Sequence, residues 1–179
     1  RQQEYNMIVL PSTLADGDTI DIRLRLPNGA DYIVLSKKKV KLADLNGAVS
    51  ATTILINVTE DQILTMSAAI VDAYKISGSK LYATKYTDPG LQAVATATYI
   101  PSNDTINLID KDPNIVTTAR NALITRYNEN YSTYRTGIQS TINSIESSTQ
   151  QSRVESGTSS ETATQQAERK TYLDSLAGE

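Results

Sequence analysis

The fold class of this chain is decided by TIDIRLRL, residues Thr19–Leu26, in which apolar and polar side chains alternate strictly. Successive side chains of a strand point to opposite faces, so the apolar positions share one face. They are Ile20, Ile22, Leu24 and Leu26. The pattern predicts a strand buried on one side only. Pro27-Asn28-Gly29 then reads as a tight turn, and Ala30–Ser36 as the returning strand of a hairpin.

Further along, the sequence predicts one short helix among strands. Thr53–Val58 is rich in β-branched residues and leads into Thr59-Glu60-Asp61-Gln62, which has the Thr-x-x-Gln pattern of a capping box. Ser77-Gly78-Ser79 ends the helix, and Lys80–Tyr86 reads as another strand. The expected buried stripe of the helix is Ile63, Met66, Ile70 and Tyr74. Residues 5–110 are therefore predicted to form a β-rich α+β domain with one short packed helix.

The character of the chain changes after residue 110. Asp112 can cap a helix whose first residue is Pro113. Apolar or aromatic residues then recur at spacings of three or four, which predicts one long amphipathic helix over 112–146. These residues are Ile115, Ala119, Leu123, Tyr127, Tyr131, Tyr134, Ile138, Ile142 and Ile145.

The last segment, 147–179, is dominated by polar residues. Ser147–Gln166 is composed mainly of Ser, Thr, Gln and Glu and has almost no apolar residue. Such a segment buries too little apolar surface to offset the entropy lost on ordering. The sequence therefore predicts a polar, flexible tail, with a short helical pattern only at Ala167–Leu176.

Composition argues against several classes of function. The 179 residues include no cysteine and no histidine, which removes thiolate and imidazole metal ligands and the usual Ser-His-Asp and Cys-His mechanisms. The net charge of −3 gives no basic field for nucleic acid. The basic run Lys37-Lys38-Lys39 is interpreted as a solvated strand edge or turn. We expect no enzyme activity, no catalytic residues, no cofactor and no nucleic-acid partner.

Two weaker chemical patterns also have structural interpretations. Asp16, Asp18 and Asp21 form an acidic cluster, but the ligand spacing and distal glutamate of a calcium loop are missing, so turn-forming aspartates are favoured and no metal site is predicted. Ser36 next to Lys37 has the composition of a catalytic Ser-Lys pair. Adjacent residues of a strand point to opposite faces, so these two side chains cannot act together.

The aromatic and apolar stripe of the long helix is the feature that calls for a partner. Tyr127, Tyr131 and Tyr134 lie on one face, and Tyr127 could equally pack on the domain itself. Ile138, Ile142 and Ile145 need either a second chain or a helix that folds back, because so polar a helix is marginal in isolation. These six residues are the predicted partner-binding positions, with a homo-oligomer through this helix as one outcome.

The order of these elements resembles the SAF-like (RcpC) region of CpaB-type pilus assembly proteins. The resemblance is carried by Ala15–Leu26 with its Gly-Asp strand, by Ile54–Gln62 at the helix start, and by Gly78–Tyr82 before the next strand, and it covers roughly residues 6–100. It implies a β-clip-like fold and a non-catalytic, extracytoplasmic component of the bacterial cell envelope, anchored by a membrane helix upstream of Arg1. Its partners would be other protein subunits of a surface apparatus, and peptidoglycan.

Two alternatives from other classes remain open at this stage. A module that binds cell-wall glycan would use surface Tyr and Asp residues. A structural protein of a phage or another large assembly would self-associate into large particles.

Overall fold

The computed structural model describes residues 1–45, 48–112, 115–134 and 136–177, leaving aside the side chains of residue 45 and of residues within 130–137. The strands are β1 (Gln2–Tyr5), β2 (Ile8–Val9), β3 (Thr19–Arg25), β4 (Asp31–Leu45), β5 (Ala48–Asn57) and β6 (Lys80–Lys85). The helices are α1 (Glu60–Lys75), α2 (Asn103–Lys111), α3 (Thr117–Tyr134), α4 (Thr136–Asn143) and α5 (Ser147–Ala177). The predicted α+β class is confirmed, and so is a long helix at the C-terminal end, although that helix is α5.

The predicted hairpin is confirmed as β3 and β4, and it forms the centre of the sheet. The strand order is β1-β5-β4-β3-β6-β2. The first half of β4 pairs antiparallel with β3, and its second half, from Val40, pairs antiparallel with β5. Gly29 closes the β3–β4 turn at a φ of 90°, a left-handed conformation that favours glycine. The apolar face of β3 is fully buried, as its alternation predicts.

A bulge bends β4 between its two halves. Lys37 has a φ of 52°, in the left-handed region, and the register with β3 shifts nearby. The Asp21 carboxylate accepts hydrogen bonds from Lys37 N and Ser36 Oγ, both at 2.8 Å. Asp21 is only 6% exposed, so it supports the bulge and does not belong to an exposed acidic cluster. The bend lets both halves of the sheet wrap around one core.

The lysine run lies inside the sheet, so its interpretation as an edge or turn is wrong. β4 is an interior strand between β5 and β3. Lys38 is half-buried and donates from Nζ to Gln62 Oε1 at 2.6 Å and to Asn57 O at 3.3 Å. Its long aliphatic stem covers apolar surface while the ammonium reaches polar partners.

The N-terminal segment supplies both ends of the sheet. β1 pairs antiparallel with β5, and β2 pairs parallel with β6. Asn6 and Met7 alone separate the two strands, so the opposite ends of the strand order are brought close together. Leu10 N also donates to Ala51 O at 3.4 Å, across this closure.

Helix α1 begins where the sequence predicts and has the predicted capping box at Thr59 and Gln62. Its buried face differs from the predicted stripe. Met66 is fully buried as expected, whereas Ile63, Ile70 and Tyr74 are only partly buried. Asp72 and Lys75 lie on the buried face instead.

Within the predicted long helix of 112–146, the structure has the helical segments α3 and α4, which cover residues 117 to 143 with residue 135 outside the described residues. Asp112 is the C-terminal cap of α2 and not the start of a helix; Pro113 lies outside the described residues. α3 and α4 then place their apolar residues in the main core, where Leu123, Ile138 and Ile142 are buried. These apolar side chains of the predicted stripe are therefore buried against the domain and not against a separate helix.

The flexible tail predicted for 147–179 is also wrong over the described residues. Residues Ser147–Ala177 form α5, whose partly buried positions recur every three or four residues. The buried or partly buried positions are Thr149, Gln150, Arg153, Val154, Gly157, Glu161, Gln165, Glu168 and Ser175. The stripe is almost entirely polar, so an argument from apolar periodicity could not detect it.

Candidate functional site

The predicted partner positions are mostly used inside the fold. Ile138 and Ile142 are 0% and 1% exposed, and Ile145 packs partly buried against the same core. The folding-back alternative therefore describes them better than a second chain does. Tyr127 is half-buried and donates from its hydroxyl to Asn103 Oδ1 at 2.6 Å. The side chains of Tyr131 and Tyr134 lie outside the described residues.

A buried polar cluster joins α1 to the start of α2. The Asp72 carboxylate accepts from Tyr99 OH at 2.7 Å, from Ser102 N at 2.8 Å, from Ser102 Oγ at 2.7 Å and from Thr105 Oγ1 at 3.0 Å. Lys75 Nζ lies 3.8 Å from Asp72 Oδ1. Asp72 and Ser102 have no exposed surface, so no substrate can reach them in this conformation. The cluster therefore stabilises the packing of α1 against the start of α2.

Sequence reasoning missed this cluster, although a signal was present. Asp72 and Lys75 follow Met66 and Ala69 at three-residue steps along α1, on the face that packs against the rest of the domain. Polar residues on a buried face require polar partners, and this requirement could have pointed to Ser102 as their partner. Burial and the Asp72 charge also raise the pKa of Tyr99, which keeps its phenol a hydrogen-bond donor.

A second charged cluster is exposed on the outer face of the sheet. The Asp31 carboxylate accepts hydrogen bonds from Arg23 Nε at 2.7 Å and from Arg25 Nε at 3.0 Å. Tyr82 OH also donates a hydrogen bond to it. The Arg25 guanidinium stacks 4.6 Å from the centre of the Tyr82 ring. Asp31 offsets one of the two positive charges and occupies Nε of both arginines, so the cluster is tied together within the chain.

The acidic turn near β3 is likewise engaged within the chain. Asp16 Oδ1 accepts from Leu42 N at 2.8 Å, and Asp18 Oδ2 forms an ion pair with Lys85 Nζ at 2.7 Å. The ion pair and its hydrogen bonds hold the pKa of Asp18 below its usual value. In the described part of the chain, no three acidic side chains come together to hold a metal ion.

The surface against which α5 packs includes Asn6, Thr53 and Tyr74, and we call it the seat of α5. Gly157 lies against the Tyr74 ring so closely that a Cβ on it would be 2.4 Å from Tyr74 Cδ1. Further along α5, Asn6 Nδ2 donates to Glu161 O at 3.0 Å, and Thr53 Oγ1 donates to the Glu168 carboxylate at 2.8 Å. α5 is thus held by a few polar contacts and one close approach, with almost no apolar side chain of its own buried.

Beyond this seat, the last turns of α5 carry exposed apolar side chains. Tyr172, Leu173 and Leu176 are 42%, 46% and 53% exposed, and we call them the α5 tip. Beside the tip, a groove of about 410 Å³ separates α5 from the second half of β4. Its lining includes Lys41, Leu42, Asp44, Thr53, Glu168, Arg169 and Tyr172. The lining thus combines apolar and charged side chains, as protein interfaces do.

The phenol groups of Tyr5 and Tyr74 lie beneath α5, and we expect them to make its docking depend on pH. Burial, and next the negative charge of Glu161, raise the pKa of Tyr5 to about 12. The same two causes, in the same order, raise the pKa of Tyr74. Ionisation of either phenol under α5 would place a second negative charge beside Glu161. A raised pKa in the folded state means that the stabilisation is complete below the ordinary value of about 10 and is lost as pH rises through the folded value.

We therefore expect α5 to undock between about pH 10 and about pH 12. Phenolate absorbance should include a late part, at high pH, to which Tyr5 and Tyr74 both contribute. Tyr5→Phe should reduce this late part. A late part that Tyr5→Phe leaves unchanged would contradict this burial.

Comparison with known proteins adds no relative: no family model, no curated protein and no solved structure matches the chain. Within the described residues, none of the helices combines the length and apolar character that a membrane span requires.

Proposed function

We propose that this chain is a non-catalytic assembly module of a bacterial surface apparatus, acting outside the cytoplasm by docking to other protein subunits. The observation that carries the proposal is the α5 tip. Three large apolar side chains remain exposed at the end of a helix that is otherwise polar. Contiguous apolar surface with a polar rim marks interaction sites more often than chance exposure does.

The use of the charged groups supports the same proposal. Asp21, Asp31 and Asp72 each bind partners within the chain that serve the fold. The groove and the α5 tip, in contrast, combine apolar and charged side chains on an open surface. The resemblance of residues 6–100 to the SAF-like region of pilus assembly proteins favours a docking role in the cell envelope, and the groove would serve the same partner.

Site-specific photo-crosslinking tests this proposal. A photoreactive amino acid replaces Leu173 in the full-length protein, in the bacterium that encodes it, and Leu108 serves as the matched control. Leu108 is an exposed leucine on α2, at 67% exposure, remote in sequence from the tip. We expect position 173 to yield adducts with envelope subunits or with the chain itself, and Leu176→Ser to reduce them at least about tenfold, as for an interface hot spot.

Equal and low yields at positions 173 and 108 would contradict docking through the tip. If purified muropeptides instead bound saturably and Tyr172→Ala abolished this binding, the groove would belong to a glycan-binding module. Self-association into particles of very large mass, lost with Leu176→Ser, would favour the structural protein of a large assembly.

A further inference from the structure

The turn between α4 and α5 contains no residue that breaks helices. It consists of Ser144, Ile145 and Glu146, with neither glycine nor proline. Sharp breaks in helices usually coincide with such residues. The break is held instead by local hydrogen bonds: Ser144 N donates to Thr141 O at 3.3 Å, and Ile145 N donates to Ile142 O at 3.0 Å. A continuous helix from α4 into α5 is therefore compatible with the sequence.

One side chain holds the bent form. Gln150 is 8% exposed, and its Nε2 donates to Ile142 O at 3.0 Å and to Ile145 O at 2.7 Å. In a continuous helix, backbone N–H groups four residues ahead would bind these two carbonyls, those of Glu146 and Thr149. Gln150 thus replaces in the bent form the hydrogen bonds that the straight form would make by itself.

The seat of α5 is also incompletely matched to it. Among the described residues, Tyr5 OH and Asn6 Oδ1 are buried beneath α5 with no hydrogen-bond partner. Such groups carry a desolvation penalty that a docked helix must overcome. Because the contacts of α5 are few and mostly polar, its undocking exposes little apolar surface. α5 therefore has the character of an element that opens locally without global unfolding.

From these three features we infer that α5 is an exchangeable arm, which docks in the same seat on a second copy of this chain when the 144–146 turn straightens. The exchanged arm makes the contacts of the closed form beyond the turn, including Gly157 on Tyr74 and Glu168 on Thr53. Backbone hydrogen bonds of the straightened helix replace those of Gln150 to Ile142 O and Ile145 O. Exchange of an identical element is a low-cost route to association because no new interface needs to be built. The inference rests on the proposed assembly function and names a second copy as the partner.

The absence of cysteine permits a direct test. An ideal Cβ on Gly157 lies 2.5 Å from Tyr74 Cγ. Since Cγ is about 1.5 Å from Cβ, the two Cβ atoms lie at most about 4 Å apart, which is suitable for a disulfide. Tyr74→Cys and Gly157→Cys are placed in separate full-length chains of different mass. A disulfide between these two chains reports α5 of one copy in the seat of the other.

The two chains are unfolded together in urea, refolded at protein concentrations from about micromolar to about millimolar, which bracket typical effective concentrations of tethered segments, and then oxidised. We expect the mixed covalent dimer to increase with concentration. The matched controls are the two single variants refolded alone, whose homodimers measure random surface contact. A mixed dimer no more abundant than these homodimers at any concentration would overturn the inference.

Variants of the turn make the test specific to straightening. Ser147→Pro places proline at the first position of α5, where helices accept it, but interrupts a helix that runs through the turn. It should reduce the mixed dimer by about tenfold or more, whereas Ser147→Ala should not. Gln150→Met removes the side chain that holds the bend and should increase the dimer. Equal dimer yields from Ser147→Pro and Ser147→Ala would overturn the straightening step.

Failure of exchange can be told apart from failure of the assembly function. If the variant with both Tyr74→Cys and Gly157→Cys forms only a covalent monomer, α5 stays on its own chain. Adducts from position 173 would then still support docking through the tip. If neither the mixed dimer nor adducts from position 173 were observed, the proposed assembly function would be overturned as well.

Discussion

Replacing Asp72 by alanine should lower the free energy of unfolding by about 3–5 kcal/mol, the range expected when one partner of a buried charge pair is removed. The carboxylate accepts four hydrogen bonds, and all four donors would lose their acceptor inside the protein. Lys75, which is 7% exposed, would lose the carboxylate that lies 3.8 Å from its Nζ. Urea denaturation followed by circular dichroism measures the change.

A double-mutant cycle separates the charge from the hydrogen bonds. Asp72→Asn keeps an acceptor for Ser102 N, and its amide can donate to the Ser102 and Thr105 hydroxyls, which can rotate. Asp72→Asn should therefore cost less than Asp72→Ala. Lys75→Met in the Asp72→Asn background should recover part of the loss, because no buried charge then remains. Additive effects of the two substitutions would show that Asp72 and Lys75 are not coupled.

Ile142→Ala should destabilise the whole domain by about 2–4 kcal/mol, as expected for a large aliphatic side chain removed from a packed core. Ile142 is 1% exposed and belongs to the same apolar cluster as the sheet residues. Fluorescence is weak without tryptophan, so circular dichroism and hydrogen exchange of the β3 amides are the suitable measurements. Both should report one shared transition.

The matched control is Leu108→Ala on α2, where the leucine is 67% exposed. Its effect should stay within about 0.5 kcal/mol. If Ile142→Ala changed the exchange of α4 amides but left β3 unchanged, the C-terminal helices would be an independent unit. The result therefore decides between a shared core and an appended helix.

Much of the sheet and of α1 could be predicted from the sequence, because these elements depend on local patterns. The alternation in Thr19–Leu26, the turn at Gly29 and the capping box at Thr59 are each complete within a few residues. Of the apolar stripe from Ile115 to Ile145, the described members Leu123, Ile138 and Ile142 are buried. Its periodicity shows which side chains are buried, but not whether the partner is another chain or the same domain.

The rest could not be predicted because the decisive contacts are polar and distant in sequence. α5 has no apolar stripe, and Asn6 meets Glu161 across a separation of 155 residues. Ser/Thr/Gln-rich composition therefore indicated disorder where a helix lies. Asp72 was overlooked because attention to apolar periodicity assigns the buried face of α1 to Ile63 and Ile70. Of the candidate site, only the exposed leucines near residue 173 belonged to a segment that the sequence marked as helical.

The closure of the sheet by its first strands has a consequence for the order of events in folding. Residues 2–9 are synthesised before the strands with which they pair, so β1 must wait for Ala48–Asn57, and β2 for Lys80–Lys85. Contacts between segments so far apart in sequence form slowly, and the waiting strands stay open to wrong partners. Tyr5 and Ile8, which are buried in the folded domain, thus stay exposed until these later strands have been made. Within this sheet, the strands that are synthesised first are among the last to be paired.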